Sequence, residues 1–125
     1  MKIWVILGAL NGFLAVALGA IGAHAIKGPA DQIMDMKETF QSANRFHFYT
    51  ALGLILVGLL ADKLPDWGTL AAGGCLALGM LMFCVPVYFM GMTGNRLAPF
   101  PVAPVGGTLM MIGWIALAVA AWVGR

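Results

Sequence analysis

The chain has 125 residues, 62% of them hydrophobic and only 10% charged, with a formal net charge of +2. A soluble domain carries roughly 25% charged residues, so composition excludes an ordinary water-facing surface, and +2 scattered over the length gives no argument for a nucleic-acid partner. The length suits one domain, residues 1–125, and no linker, low-complexity tract or internal repeat divides it.

The first apolar run covers about 3–25 and holds no charged residue. It ends in "GAIGAHAIKG" (19–28), where Ala23-His24-Ala25 imitates the A-x-A site of a secretory signal peptide. A signal core is about 7–15 residues long, and this run is polar only at Asn11 until His24. The expectation is therefore a retained transmembrane helix, to be checked by the intact mass of the membrane-purified chain. Gly8, Gly12, Ala15, Gly19, Gly22 and Ala23 give it small residues over about half its circumference. Such a face allows close helix packing within the chain, or contact between copies. Asn11, near mid-span, should hydrogen-bond to a neighbouring helix, worth about 0.6–2 kcal/mol.

Residues 27–42 form the one long connection. Ile33, Met36 and Phe40 recur at helical spacing among Asp35, Lys37 and Glu38, which predicts a short amphipathic helix lying on the membrane surface. The second span has an apolar core of only 16 residues, 46–61, where about 20 are needed. It should begin near position 41 and carry Asn44, Arg45 and His47 into the interface. "DKLPDW" (62–67) reads as a tight turn.

The third span covers about 67–92, with Pro86 expected to free a carbonyl and kink it. Cys75 and Cys84 are nine residues apart, roughly 13 Å along a helix and on opposite faces, so they cannot pair. Met80 and Cys84, at i and i+4, could in principle hold soft copper, but Met is an ordinary gap-filler and no metal or other cofactor is expected. "TGNRLAPFPVAPVGG" (93–107) is too rich in proline and glycine for a regular helix, and the fourth span covers about 102–123. No span shows the alternation of a barrel strand. The fold class is an all-α membrane protein, four transmembrane helices in an antiparallel bundle, with the surface helix after the first span.

Both termini then share one side, with Lys2, Lys63 and Arg125 against Lys27, Lys37, Arg45 and Arg96 on the other. That balance sets no orientation. Trp4, Trp67 and Trp122 would form an interfacial belt on the terminal side.

The candidate site is a polar cluster on the opposite face: His24, Asn44, Arg45, His47, Tyr49, Asn95 and Arg96, with Thr93 beside them. Asn44 and His47 are i,i+3 neighbours. Such residues face the bundle interior and pair with each other or with carbonyls. Three readings are open: a hydrogen-bonded clasp, a ligand or headgroup site, and, less favoured with two histidines, a metal or relay site. All five acids fall in the predicted connections, against a conventional proton-coupled transporter. No phosphate loop, G-x-S-x-G or H-E-x-x-H is present.

"GAIGAHAIK", "FQSANRFHFYTALGLILVG", "MFCVPVYFMGMTG" and "APVGGTLMMIGWIALAVA" together resemble the four-span family that includes transmembrane protein 256. Its bacterial members are an uncharacterised inner-membrane family, domain of unknown function 423 (UPF0382). The resemblance implies that Gly22, His24, Asn44, His47, Gly106 and Gly107 belong to the family pattern. One departure is Thr50, where many members have histidine. A multi-pass protein of the cell (inner) membrane is implied, with no activity attached.

The leading expectation is a non-enzymatic lipid-binding or complex-stabilising component. Its partners would be membrane lipids and a homo-oligomer or larger membrane complex, with no nucleic acid. The alternative is a small transporter or channel using His24, His47, Tyr49 and Arg96, which needs a polar path across the bilayer. Packing positions are expected at Gly8, Asn11, Gly12, Gly19, Gly22, Gly106 and Gly107.

Overall fold

The structure, a computed structural model, describes residues 2–94 and 102–124. It consists of four helices: α1 Lys2–Ala25, α2 Ile33–Leu60, α3 Asp66–Thr93 and α4 Val102–Val123. They contain 24, 28, 28 and 22 residues. At about 1.5 Å per residue each exceeds the roughly 30 Å hydrocarbon layer. All four are long and apolar enough to cross a membrane.

The contacts run antiparallel. Gly8 faces Ala51 and Gly22 faces Phe40 between α1 and α2, while Gly68 faces Ala120 and Gly106 faces Phe83 between α3 and α4. α1 packs along α2, α2 along α3, and α3 along α4. In the most apolar stretches of α2 and α3 44% of residues are buried, against 17% in α1 and α4. The two middle helices therefore form the core, and the first and last are flanks. Leu54, Val57, Ala72, Leu76, Met80 and Cys84 fill the space between α2 and α3.

The surface helix expected within 27–42 is not a separate element. Its residues are helical, but they run without a break into the second span as the first turns of α2. After the Gly28-Pro29 turn, no glycine or proline interrupts the chain until Gly53. A fall in hydropathy is no reason for a helix to stop when every residue tolerates helix. The apolar spacing is as expected, but what it meets is protein. Met36 and Phe40 are buried, packed with Ile26 and flanked by Leu18, Ile33 and Tyr88. Phe40, 1% exposed, is wedged where three helices meet. A side chain on Gly22 would strike its ring, and one on Gly91 would strike its backbone.

The second connection is a 3₁₀ turn, Ala61–Lys63, followed by Pro65 in extended conformation before α3. Helix α3 runs through Pro86 to Thr93, and Gly94 ends it with φ +75° and an N–H donated to the Met90 carbonyl at 2.8 Å. That left-handed cap is a position where glycine carries no Cβ penalty. Trp67 and Trp122 are 52% and 91% exposed, as an interfacial belt requires. Trp4 departs from the belt: its ring lies over Gly73, and its Nε1 is buried without a hydrogen-bond partner among the described residues.

The outer surface is apolar. Phe13, Met111 and Ile115 are among many exposed large side chains. In water this would drive aggregation, whereas in hydrocarbon it is the normal exterior.

Candidate functional site

The polar residues converge in the interior around His47, which is 5% exposed on α2. Its Nε2 lies 3.0 Å from Asn11 Oδ1 on α1, and its Nδ1 lies 2.9 Å from the Tyr88 hydroxyl on α3. Asn11 donates Nδ2–H to the carbonyl of Leu7 at 2.8 Å. Asn44 donates from Nδ2 to the Ala15 carbonyl at 2.6 Å and to the Tyr88 oxygen at 3.1 Å.

With the imidazole neutral, the donors and acceptors can be assigned one after another along this network. A backbone carbonyl only accepts, so the Asn11 amide nitrogen must point at Leu7 and its oxygen at His47. Nε2 therefore carries the imidazole proton, and Nδ1 accepts from the Tyr88 hydroxyl. The Tyr88 oxygen in turn accepts from Asn44. This is the pattern of a neutral imidazole with both nitrogens satisfied, and it ties three helices together. Aromatic packing reinforces it: Tyr88 lies 4.9 Å from the Phe40 ring and 5.6 Å from the His47 ring, edge to face in the latter case.

The same chemistry limits what the network can do. A proton leaving Nε2 would arrive at an amide oxygen, and Asn11 has no further proton to pass except the pair it holds on nitrogen. Among the described residues the path has no onward step from Asn11, which is the arrangement of a clasp. No group of three His, Cys, Asp or Glu side chains comes together among the described residues.

Of the expected cluster, Asn44 and His47 are brought together. Arg45 is exposed and bonds to Ser42 Oγ at 3.3 Å. Tyr49 is 54% exposed and packs edge-on against Phe46. Asn95 and Arg96 lie outside the described residues. His24 is exposed in the last turn of α1. It lies 13 residues, or about 20 Å of helix, from Asn11, the residue that faces His47. The two histidines therefore do not meet. The expected location shifts as well. Because α2 starts at Ile33, His47 lies opposite the middle of α1, deep within the span, and not at the membrane face.

Tyr88 was missed by reading the sequence. A signal was present: it is a rare polar handle within the apolar run 67–92, and a buried tyrosine hydroxyl needs a partner. Thr50 makes a second interhelical tie, donating to the Phe46 carbonyl at 2.7 Å and toward the sulfur of Met110 on α4 at 3.1 Å. Cys84 donates to the Ala43 carbonyl at 3.6 Å between α3 and α2.

Among the expected packing glycines, Gly8, Gly19, Gly22 and Gly106 sit at close helix contacts, and a Cβ on Gly107 would make only an ordinary contact with Phe83 at 3.7 Å. Gly12 is the correction: a Cβ there would meet nothing within 4 Å. It lies on the small-residue stripe but turns off the contact with α2.

A lateral cleft of about 370 Å³ opens between α2, α3 and α4. Phe46, Tyr49, Phe83, Met111 and Trp114 line it, with Gly107 on the α4 side. It lies on the opposite face of α2 from α1.

The sequence model of the DUF423 family, described as a protein of unknown function, matches residues 18–107. The chain is similar to UPF0382 membrane protein YwdK of Bacillus subtilis (strain 168), at 37% identity over 97% of each chain. It is also similar to UPF0382 membrane protein SERP0230 of Staphylococcus epidermidis, at 36% identity over 96% of this chain and 95% of the relative. No solved structure matches it.

Proposed function

Because the chain belongs to the DUF423 family of proteins of unknown function, its role has to be read from its own residues, and we propose a non-enzymatic membrane component that binds lipid. The observation that carries this reading is the lateral cleft between α2, α3 and α4. Its walls are aromatic and apolar, and four apolar helices make it open into hydrocarbon. An acyl chain is the ligand whose chemistry fits such walls.

The hydrogen-bond network, which runs from the Leu7 carbonyl to the Ala15 carbonyl, supports the non-enzymatic half of the reading. Every polar atom of His47 and Tyr88 is engaged in holding helices, which leaves neither as a free base or nucleophile. The dead end at Asn11 speaks against the transporter alternative. We propose the cell (inner) membrane as its location, a reading supported by four apolar helices and by relatives named membrane proteins. A homo-oligomer or larger complex would use the exposed outer faces of α1 and α4.

Native mass spectrometry from gentle detergent tests the proposal. Wild type should carry co-purified lipid. Gly107→Leu should fill the cleft and lower lipid occupancy while the protein stays folded, because the position has room for a Cβ. Wild type without lipid would reject it, and a Gly107→Leu variant with undiminished occupancy would reject the lateral cleft as the binding site.

A further inference from the structure

A second cavity, of about 290 Å³, opens between α1 and α2 on the face of α2 away from the lateral cleft. Gly19, Gly22 and Ala23 form its α1 wall, and Gln41, Asn44 and Arg45 reach it from α2. The wall of small residues leaves the space empty of side chains. Around it stand hydrogen-bonding groups of both kinds. Asn44 has committed its nitrogen to Ala15 and Tyr88. Its Oδ1 is the atom nearest Gly19, 3.0 Å from where a Cβ would stand. Gln41 and Arg45 are exposed on the same helix face.

Depth makes Arg45 unusual. Its neighbour Asn44 packs against Gly19, six residues and about 9 Å short of the end of α1. The Arg45 backbone therefore lies alongside the last turns of α1 and not beyond its end. A cation at that depth reaches for water or an anion, and leaving it unpaired against hydrocarbon is costly. Arg45 spends one N–H on Ser42 Oγ at 3.3 Å, and a guanidinium has five. The nearest acid along α2 is Glu38, seven residues and about 10 Å away on the outer side.

Resting on the lipid-binding reading, we propose that this cavity seats the phosphodiester of a membrane phospholipid. Arg45 and Gln41 donate to the phosphate oxygens, and Asn44 Oδ1 accepts from a hydroxyl or amine of the headgroup. A guanidinium binds phosphate oxygens through its fork of N–H groups, which a hydrated lysine does less well. The acyl chains then leave along α1, whose outer face is exposed and apolar at Phe13, Leu14 and Val16.

The test uses the full chain in detergent, titrated with dioleoyl phosphatidylglycerol, with dioleoylglycerol and with glycerol phosphate, read by native mass spectrometry. The phospholipid should bind in preference to dioleoylglycerol, which shares its chains but lacks the phosphate. Arg45→Ala should weaken phospholipid binding by about 10–100-fold, the size expected for a charge-assisted hydrogen bond. Arg45→Lys should restore part of it. Gly107→Leu, which fills the other cleft, should leave the phosphate preference unchanged. A preference that survives Arg45→Ala in a variant of unchanged melting temperature would overturn the assignment and leave lipid binding intact. So would equal binding of the two dioleoyl lipids. Effective competition by glycerol phosphate would overturn the lipid as occupant in favour of a soluble phosphate ester. If wild type binds no lipid at all, the underlying lipid-binding reading fails with it.

Discussion

Tyr88 and Tyr49 have the same side chain and opposite situations. The Tyr88 hydroxyl both donates to His47 and accepts from Asn44, whereas Tyr49 is 54% exposed. Removing the first hydroxyl takes a partner from both His47 and Asn44, and removing the second takes one from no described residue. We expect Tyr88→Phe to lower stability in detergent by about 0.6–2 kcal/mol, and Tyr49→Phe to change it by less than about 0.5 kcal/mol. Thermal unfolding of both variants checks the difference. By the same reasoning His47→Leu should cost about 1–3 kcal/mol, because it strands Asn11 Oδ1 and the Tyr88 hydroxyl together. Lys37→Ala, on the exposed first turns of α2, should cost almost nothing. Equal melting temperatures for His47→Leu and Lys37→Ala would show that the ring holds nothing.

Helices α3 and α4 approach so closely at Gly106 that a Cβ there would strike the backbone of Met82 and Phe83. Backbone cannot rotate out of the way as a side chain can. The helices would have to part, losing contacts along their length. The α2–α3 contact at Gly91 is of the same kind, with the Phe40 backbone about 2.7–2.8 Å from a built Cβ. Gly12 and Gly74 are alike in sequence but open in space, with nothing within 4 Å of an added Cβ. Gly106→Ala and Gly91→Ala should therefore destabilise, by about 1–3 kcal/mol. Gly12→Ala and Gly74→Ala should be neutral or stabilise by up to about 1 kcal/mol through helix propensity. The sign of the change in melting temperature decides, and a loss at Gly12 would mean that a second chain packs there.

In the molecule as a whole, polar cost and apolar exposure are separated. The clasp lies where α1, α2 and α3 meet, and the flanks present Phe13 and Ile115, 70% and 65% exposed. Spin labels at positions 13 and 115, in a chain carrying Cys75→Ala and Cys84→Ser, should collide freely with oxygen dissolved in the bilayer. Protection of both would contradict a pair of lipid-facing flanks and indicate that further protein covers them.

Composition and the spacing of apolar runs were enough to determine that this chain crosses the membrane four times as helices. That follows because a hydrocarbon solvent rewards long apolar stretches and forbids unpaired backbone, and both conditions act locally along the chain. The turn at 62–67 and the interior role of Asn11 were legible for the same local reason, since proline, charge and a lone amide have one use each in such a setting. Only the tertiary structure decided where α2 begins, because a helix continues until something stops it and hydropathy stops nothing. With that start, Met36 and Phe40 turned from a membrane-surface face into core, and His47 moved from the headgroup level to the middle of the span. Which polar residues meet was also beyond the sequence. His24 and His47 share a predicted face, but rotation about the helix axis and antiparallel register pair His47 with Asn11 and Tyr88, 36 and 41 residues away along the chain. Those are properties of how helices pack against one another, and no single helix carries them.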